Sequence, residues 1–370
     1  MKETKKPEWA PKDSGSEFAS TISAGIEKTD KHTTNKTHTP IQKAKKLDID
    51  DYVDGILTHN RTIFARAITL VESNSMQHIE MAQEIIKRVL PHTGKSIRIG
   101  ITGVPGAGKS TFIESFGLYL ISLGFKVAVL AIDPSSTISK GSILGDKTRM
   151  EELSKSEDSF IRPSPSSGAL GGVNRKTRET ILLCEAAGYD VILVETVGVG
   201  QNEISVRSMV DFFLLVLISG AGDELQGIKK GVIEIADAIL VNKADGDNII
   251  KAKAAAAEYN MALHYLAEST TGWKTNAFTC SAKEKTGIDN IWNVIKKFES
   301  ITQESGVFTE RRQNQMIEWL HFMLEEYIIN EFFNNKAVKD SLPTITREIL
   351  SGKLPPTAAV NLVLDAYKKG

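Results

Sequence analysis

Apolar positions along the chain change their period three times, and each change marks a boundary. Residues 1–45 are rich in Lys, Thr, Ser, Glu and Asp and sparse in apolar side chains. Such a stretch cannot bury enough surface to fold, and it is expected to be a disordered polar tail. Over 46–94 the apolar residues recur at helical spacing. Ile63, Ala67, Leu70 and Val71 share one face, as do Ala82, Ile85, Ile86 and Val89. Asn74 or Ser75 can cap the third helix, and Pro91 closes it. Over 95–300 short apolar runs alternate with amphipathic stretches. Ile97 to Ile101, Val127 to Ile132, Asp190 to Val194, Phe212 to Ile218 and Ala238 to Val241 read as strands, and Asp289 to Phe298 as a closing helix. The run at Phe212 is apolar throughout, as a strand covered on both faces should be. The alternation predicts an α/β fold with a mainly parallel, doubly wound sheet. From Thr309 the pattern lengthens again. Met316, Trp319, Leu320, Met323, Leu324 and Tyr327 form one helical stripe, and Gly352, Pro355 and Pro356 separate a last helix, Ala358 to Lys368. Residues 301–370 are therefore expected to form a C-terminal helical arm.

Between the first strand and the helix after it stands Gly103-Val104-Pro105-Gly106-Ala107-Gly108-Lys109-Ser110, followed by Thr111. This is the G-x-x-x-x-G-K-[ST] phosphate loop, in the strand–helix setting that the motif requires. Gly103, Gly106 and Gly108 let backbone N–H groups turn toward a phosphate, and the new helix points its positive end at the same anion. Lys109 is placed for the β- and γ-phosphates, and the Ser110 hydroxyl for Mg²⁺.

A second motif, Asn242-Lys243-Ala244-Asp245, ends the strand that starts at Ala238. A carboxylate there accepts two hydrogen bonds from guanine, whereas adenine would oppose it with a lone pair. Asn242 can hold the loop, and the Lys243 stem can cover the ring. Ser281, Ala282 and Lys283, after the run Phe278-Thr279-Cys280, can pack against the same base. Two acidic residues end later strands: Asp133, and Glu195 in Glu195-Thr196-Val197-Gly198. Beside a phosphate loop they are candidate metal neighbours, and Gly198 can offer its N–H to a γ-phosphate.

Composition narrows the partners. A net charge of −1 gives no electrostatic case for nucleic acid or a membrane surface. No apolar window is long enough for a membrane span. The N-terminus has no apolar h-region, which does not suit a secretory signal, and the acidic residues Glu3, Glu8, Asp13, Glu17, Glu27 and Asp30 precede the first arginine, Arg61, which does not suit a transit peptide. Two cysteines make no disulfide framework, and a reducing cytoplasm is the expected compartment.

Longer strings resemble one family. Ala131 to Met150 (AIDPSSTISKGSILGDKTRM), Ser166 to Glu179, Glu195 to Glu203 (ETVGVGQNE) and Ser219 to Gly231 (SGAGDELQGIKKG) resemble the MeaB/ArgK-type GTPases associated with methylmalonyl-CoA mutase. The resemblance runs from about Asp54 to about Trp319. It implies a P-loop G domain that binds GTP, GDP and Mg²⁺ and hydrolyses GTP. It also implies a homodimer formed through the arm, and a chaperone role on an adenosylcobalamin-dependent acyl-CoA mutase. Carried over residue by residue, it adds Asp146 to the metal neighbours. It makes Ser139 to Asp146, Thr196 to Glu203 and Gly222 to Gly231 the mobile switches. Val199 stands where Ras-like proteins carry the glutamine that orients water, so slow unaided turnover is expected. Arg149, Arg175 and Arg178 are candidates for a transition-state cation, though surface arginines are the plainer reading. A P-loop kinase linked to amino-acid transport and a nickel-inserting GTPase are the alternatives. The guanine motif opposes the first, and the scattered histidines oppose the second.

Overall fold

The computed structural model describes residues 4–5, 20–21, 47–133, 150–165, 170–196, 202–220 and 230–369. Residues 1–46 form one unit, in which Thr4–Lys5 pairs antiparallel with Ser20–Thr21. Residues 47–370 form the other.

The second unit is built on seven strands: β1 (Ile97–Gly103), β2 (Val127–Asp133), β3 (Ser159–Pro165), β4 (Val191–Thr196), β5 (Phe212–Ile218), β6 (Ala238–Asn242) and β7 (Asn276–Thr279). Their spatial order is β3-β2-β4-β1-β5-β6-β7, and every neighbouring pair is parallel. Strand residues alternate between faces, and the core divides accordingly. Val127 and Val129 of β2 and Val191 and Leu193 of β4 enter one cluster, with Phe112, Phe116, Trp292 and Phe298. Ala128 and Leu130, with Ile192 and Val194, enter the other, with Phe64, Ile68, Ile85 and Ile181.

The first cluster is roofed by α4 (Lys109–Ser122), α9 (Ile249–Leu263) and α10 (Ile288–Glu304). The second is roofed by α1 (Ile49–Leu57), α2 (Arg61–Val71), α3 (Met76–Val89) and α6 (Leu170–Ala186), with Val206 of α7 (Asn202–Arg207). Short helices α5 (Glu151–Lys155) and α8 (Lys230–Glu234) complete the layer set. The expected apolar face of α2 is rotated slightly. Phe64 and Ile68 are buried, and Ile63 is only partly covered. The cause is aromatic packing: Phe64 meets Phe160 edge-on at 4.7 Å and Tyr189 at 5.6 Å.

The arm is α11 (Val307–Asn334), α12 (Lys336–Leu350) and α13 (Pro356–Lys369). Its root is bolted to the starts of the strands. Arg312 donates to both carboxylate oxygens of Asp211, at 2.7 and 2.6 Å, and to the carbonyls of Gly94 and Ser96. Arg311 donates to the Asp211 carbonyl and to Thr270 Oγ1, and lies 3.6 Å from the fully buried Asp237 carboxylate. Gln315 Nε2 donates to the Val210 carbonyl at 2.8 Å. Arg178 donates to the Gln315 carbonyl and to Ser208 Oγ, with its guanidinium over the Trp319 ring. Past that root, α12 and α13 close a small cluster of their own around Val338, Ile345, Ala359 and Val363.

Candidate nucleotide site at the carboxyl ends of the strands

The loop from β1 to α4 is shaped by two glycines that tolerate no side chain. A Cβ on Gly103 would stand 2.0 Å from the carbonyl oxygen of Val216 on β5. Gly108 has φ +84°, and a Cβ there would meet Asn242 Nδ2 at 2.7 Å. The cradle is therefore bare backbone, open to an anion at the head of α4. Ala107 and Lys109 are buried, whereas Gly106 and Thr111 are exposed. Lys109 Nζ donates to the carbonyls of Gly103 at 2.7 Å and Val104 at 3.2 Å. Burial lowers its pKa, while the charges of Glu195 and Glu203 pull the other way.

The candidate metal side has a smaller set of groups. Glu195 is buried, and its Oε1 accepts the Ser110 hydroxyl at 3.1 Å. Parallel register puts Glu195 beside Ile101, just before the phosphate loop. Next to it, the Thr196 hydroxyl donates to Thr102 Oγ1 at 2.8 Å. A hydroxyl with one carboxylate suits a hard cation that keeps waters and takes phosphate oxygens, as Mg²⁺ does. Among the described residues no group of three or more His, Cys, Asp or Glu forms a closed metal site. Asp133 is the last residue of β2. Asp146, Gly198 and Val199 lie outside the described residues, as do Arg149 and most of the three expected switch segments.

The base side is the most tightly bonded. Asn242 Nδ2 donates to the Ala107 carbonyl at 2.8 Å, and Asn242 Oδ1 accepts from Ala282 N at 3.1 Å. One amide thus joins the phosphate loop to the loop after β7. Lys243 is exposed and sits in the left-handed region at φ +61°, a conformation that costs energy for a residue with a Cβ. Its carbonyl accepts from Asn248 Nδ2, and its Cε lies 3.9 Å from where a Gly108 Cβ would be. Asp245 Oδ2 accepts the Ser281 hydroxyl at 2.5 Å. Ser281 Oγ also accepts from Glu284 N, which folds the loop over. Lys283 is exposed at its tip.

Of the sequence candidates, the structure gathers Lys109, Ser110 and Glu195 on one side and Asn242, Asp245, Ser281 and Ala282 on the other. It gives Arg178 to the arm root rather than to the phosphates. Ser115 was missed. It donates to the Ala282 carbonyl from within α4, and a serine in a helix carries no signal of such a contact.

A family model described as methylmalonyl Co-A mutase-associated GTPase MeaB matches residues 64–337. The GTPase ArgK of Escherichia coli is 51% identical over 276 residues, 75% of this chain and 83% of that protein. The methylmalonic aciduria type A homolog of Mus musculus, described as mitochondrial, is 43% identical over 346 residues, 90% of this chain and 83% of that one. A solved structure described as a LAO/AO transport system kinase superposes with a TM-score of 0.70 at 39% identity, covering 86% of this chain and 96% of its own. The chain is a P-loop GTPase and belongs to the methylmalonyl Co-A mutase-associated GTPase MeaB family.

Proposed function

We propose that this GTPase is the nucleotide-driven chaperone of an adenosylcobalamin-dependent acyl-CoA mutase, methylmalonyl-CoA mutase in the first instance. The family match over 64–337 carries the reading. In it, backbone N–H groups of Gly106 to Thr111 hold the phosphates, and Lys109 neutralises the β- and γ-oxygens. Ser110 and Glu195 hold Mg²⁺, with Asp133 and Asp146 as further neighbours; the ion, when bound, draws off phosphate charge. Asp245 and Asn242 read guanine, with Ser281 to Lys283 on the other side of the ring. Gly198 senses the γ-phosphate.

Valine at 199 cannot hold water by a hydrogen bond, so hydrolysis is slow until the partner docks. The exposed stripe Met316, Leu320, Leu324 and Tyr327 supports a homodimer formed through the arm. Two buried, free cysteines suit a reducing cytoplasm.

The test is the GTPase rate with and without methylmalonyl-CoA mutase. In the expected switch Gly222 to Gly231, whose polar side chains would pass γ-phosphate loss to the mutase, Asp223→Ala, Gln226→Ala and Lys229→Ala should leave the unaided rate within about threefold and blunt the stimulation by a coupling of about 1–3 kcal/mol. A wild-type rate that the mutase does not change would remove the chaperone reading. Asp245→Asn should cost about 1–3 kcal/mol of GTP affinity and favour xanthosine triphosphate. Wild-type protein preferring ATP in direct titration would remove the base assignment.

A further inference from the structure

Ser115 has no part in the phosphate or guanine motifs, yet it is buried inside α4 and its hydroxyl points away from its own helix. A serine in mid-helix commonly bonds back to a carbonyl one turn earlier. Here Oγ donates instead to the carbonyl of Ala282, at 2.6 Å. Ala282 in turn donates its own N–H to Asn242 Oδ1 at 3.1 Å. Ala282 is thus gripped from both sides, by β6 through Asn242 and by α4 through Ser115. Asn242 in turn reaches the Ala107 carbonyl at 2.8 Å.

The contacts close a ring. It runs from the phosphate loop through Asn242 to Ala282, through Ser115 into α4, and back along α4 to Lys109 and the loop. We infer that Ser115 is a positioning residue for guanine. It fixes the loop of Ser281 to Lys283 at a set distance from the phosphate cradle, so that base and phosphates are read by one rigid frame. The inference rests on the proposed reading of that loop as the base contact.

The mechanism is local. Without the hydroxyl, the buried Ala282 carbonyl loses its donor, and a buried polar group left unpaired drives rearrangement of its segment. Ser281 moves with Ala282, and Ser281 Oγ is the partner of Asp245 Oδ2. Displacement therefore reaches the carboxylate proposed to recognise the base. The phosphate loop, shaped by its own glycines, is left as it was.

The experiment uses the full chain and two fluorescent nucleotides, methylanthraniloyl-GDP and methylanthraniloyl-ADP, with release followed by stopped flow. Ser115→Ala should speed GDP release about tenfold, the size of one buried hydrogen bond. ADP release should change by less than about twofold, because the loss falls on the contacts proposed to read guanine. The single-turnover rate constant for cleavage at saturating protein should stay within about twofold of wild type, and Ser115→Thr, which restores a hydroxyl, should bring GDP release back. Unchanged GDP release, or equal acceleration of both nucleotides, overturns the inference; the second result would mean general loosening. If Ser115→Ala does not fold, Ser115→Cys, of similar size with a weak donor, is held to the same two ratios. Wild-type protein that holds GDP no more tightly than ADP would instead defeat the underlying base assignment, and this inference with it.

Discussion

Consecutive helices α10 and α11 look alike as strings and behave as opposites. Both carry apolar residues at i, i+3, i+4 and i+7. In α10 that face is core: Ile288, Ile291, Trp292, Ile295 and Phe298 are buried against the sheet. In α11, 28 residues long, the one buried residue is Gln315, while Met316, Leu320, Leu324 and Tyr327 are 48–68% exposed. Periodicity establishes that a helix has an apolar side. It does not establish that the side belongs to the same chain's interior. What separates the two is the polar bolt at Arg311, Arg312 and Gln315. It fixes the root of α11 to the starts of the strands and lets the rest project.

The strongest way to break the contrast is to cut the bolt. Arg312→Ala leaves the Asp211 carboxylate, 1% exposed, without its bidentate partner. Unfolding in urea should show a loss of about 3–5 kcal/mol. A loss under about 1 kcal/mol would mean that α11 is held by its apolar side after all.

Lys109→Ala should strike only the sheet domain. Single-turnover GTP cleavage should fall by about 10²–10³ or more, the scale for deleting one preorganised transition-state contact, with oligomeric state unchanged. Cleavage at the wild-type rate would dismiss the proposed phosphate site.

Burial of charge in the sheet domain can be weighed by pH. Burial raises the Glu179 carboxyl to about 7, against the pull of Arg175 and Lys176. Its pKa is higher folded than unfolded, so the folded state holds the proton more tightly. The contribution is present at low pH and is lost as pH rises from about 4.5 to about 7. Glu179→Gln should remove that slope, worth roughly 1–3 kcal/mol across the window. An identical pH–stability curve for the variant would show that the carboxyl titrates normally.

The gentlest test sharpens the contrast from the arm side. Leu320→Asp with Leu324→Asp should turn the proposed dimer into a monomer by light scattering. Because neither residue is buried in its own chain, unfolding should shift by less than about 1 kcal/mol. A large destabilisation would make the stripe part of one core.

Most of the sheet was legible because a strand covered on both faces has to be apolar from end to end. Phe212–Ile218 stands where its run of apolar letters predicts. The phosphate loop and the candidate base motif stand out in the sequence because backbone approach demands glycine at fixed spacing and a guanine reader calls for a carboxylate. The joints between elements were not. Asp211 and Arg312, or Ser115 and Ala282, are each polar pairs 100 or more residues apart, and no periodicity links them. The contacts of Arg178 were illegible for the same reason: its partners Ser208 and Gln315 come from other elements.

The central place of β1 has a consequence for how the chain is made. Ile97 is registered with Val191 on one side, and Ile99 with Phe212 on the other. The strand that carries the phosphate loop is thus the first of the seven to be synthesised and acquires its neighbours only about a hundred residues later. Closing such loops is slow, and the apolar strand stays unpaired in the meantime. On the ribosome, then, the most chemically important strand of this molecule is also the longest exposed. Folding yield should depend on how quickly β4 and β5 emerge to enclose it.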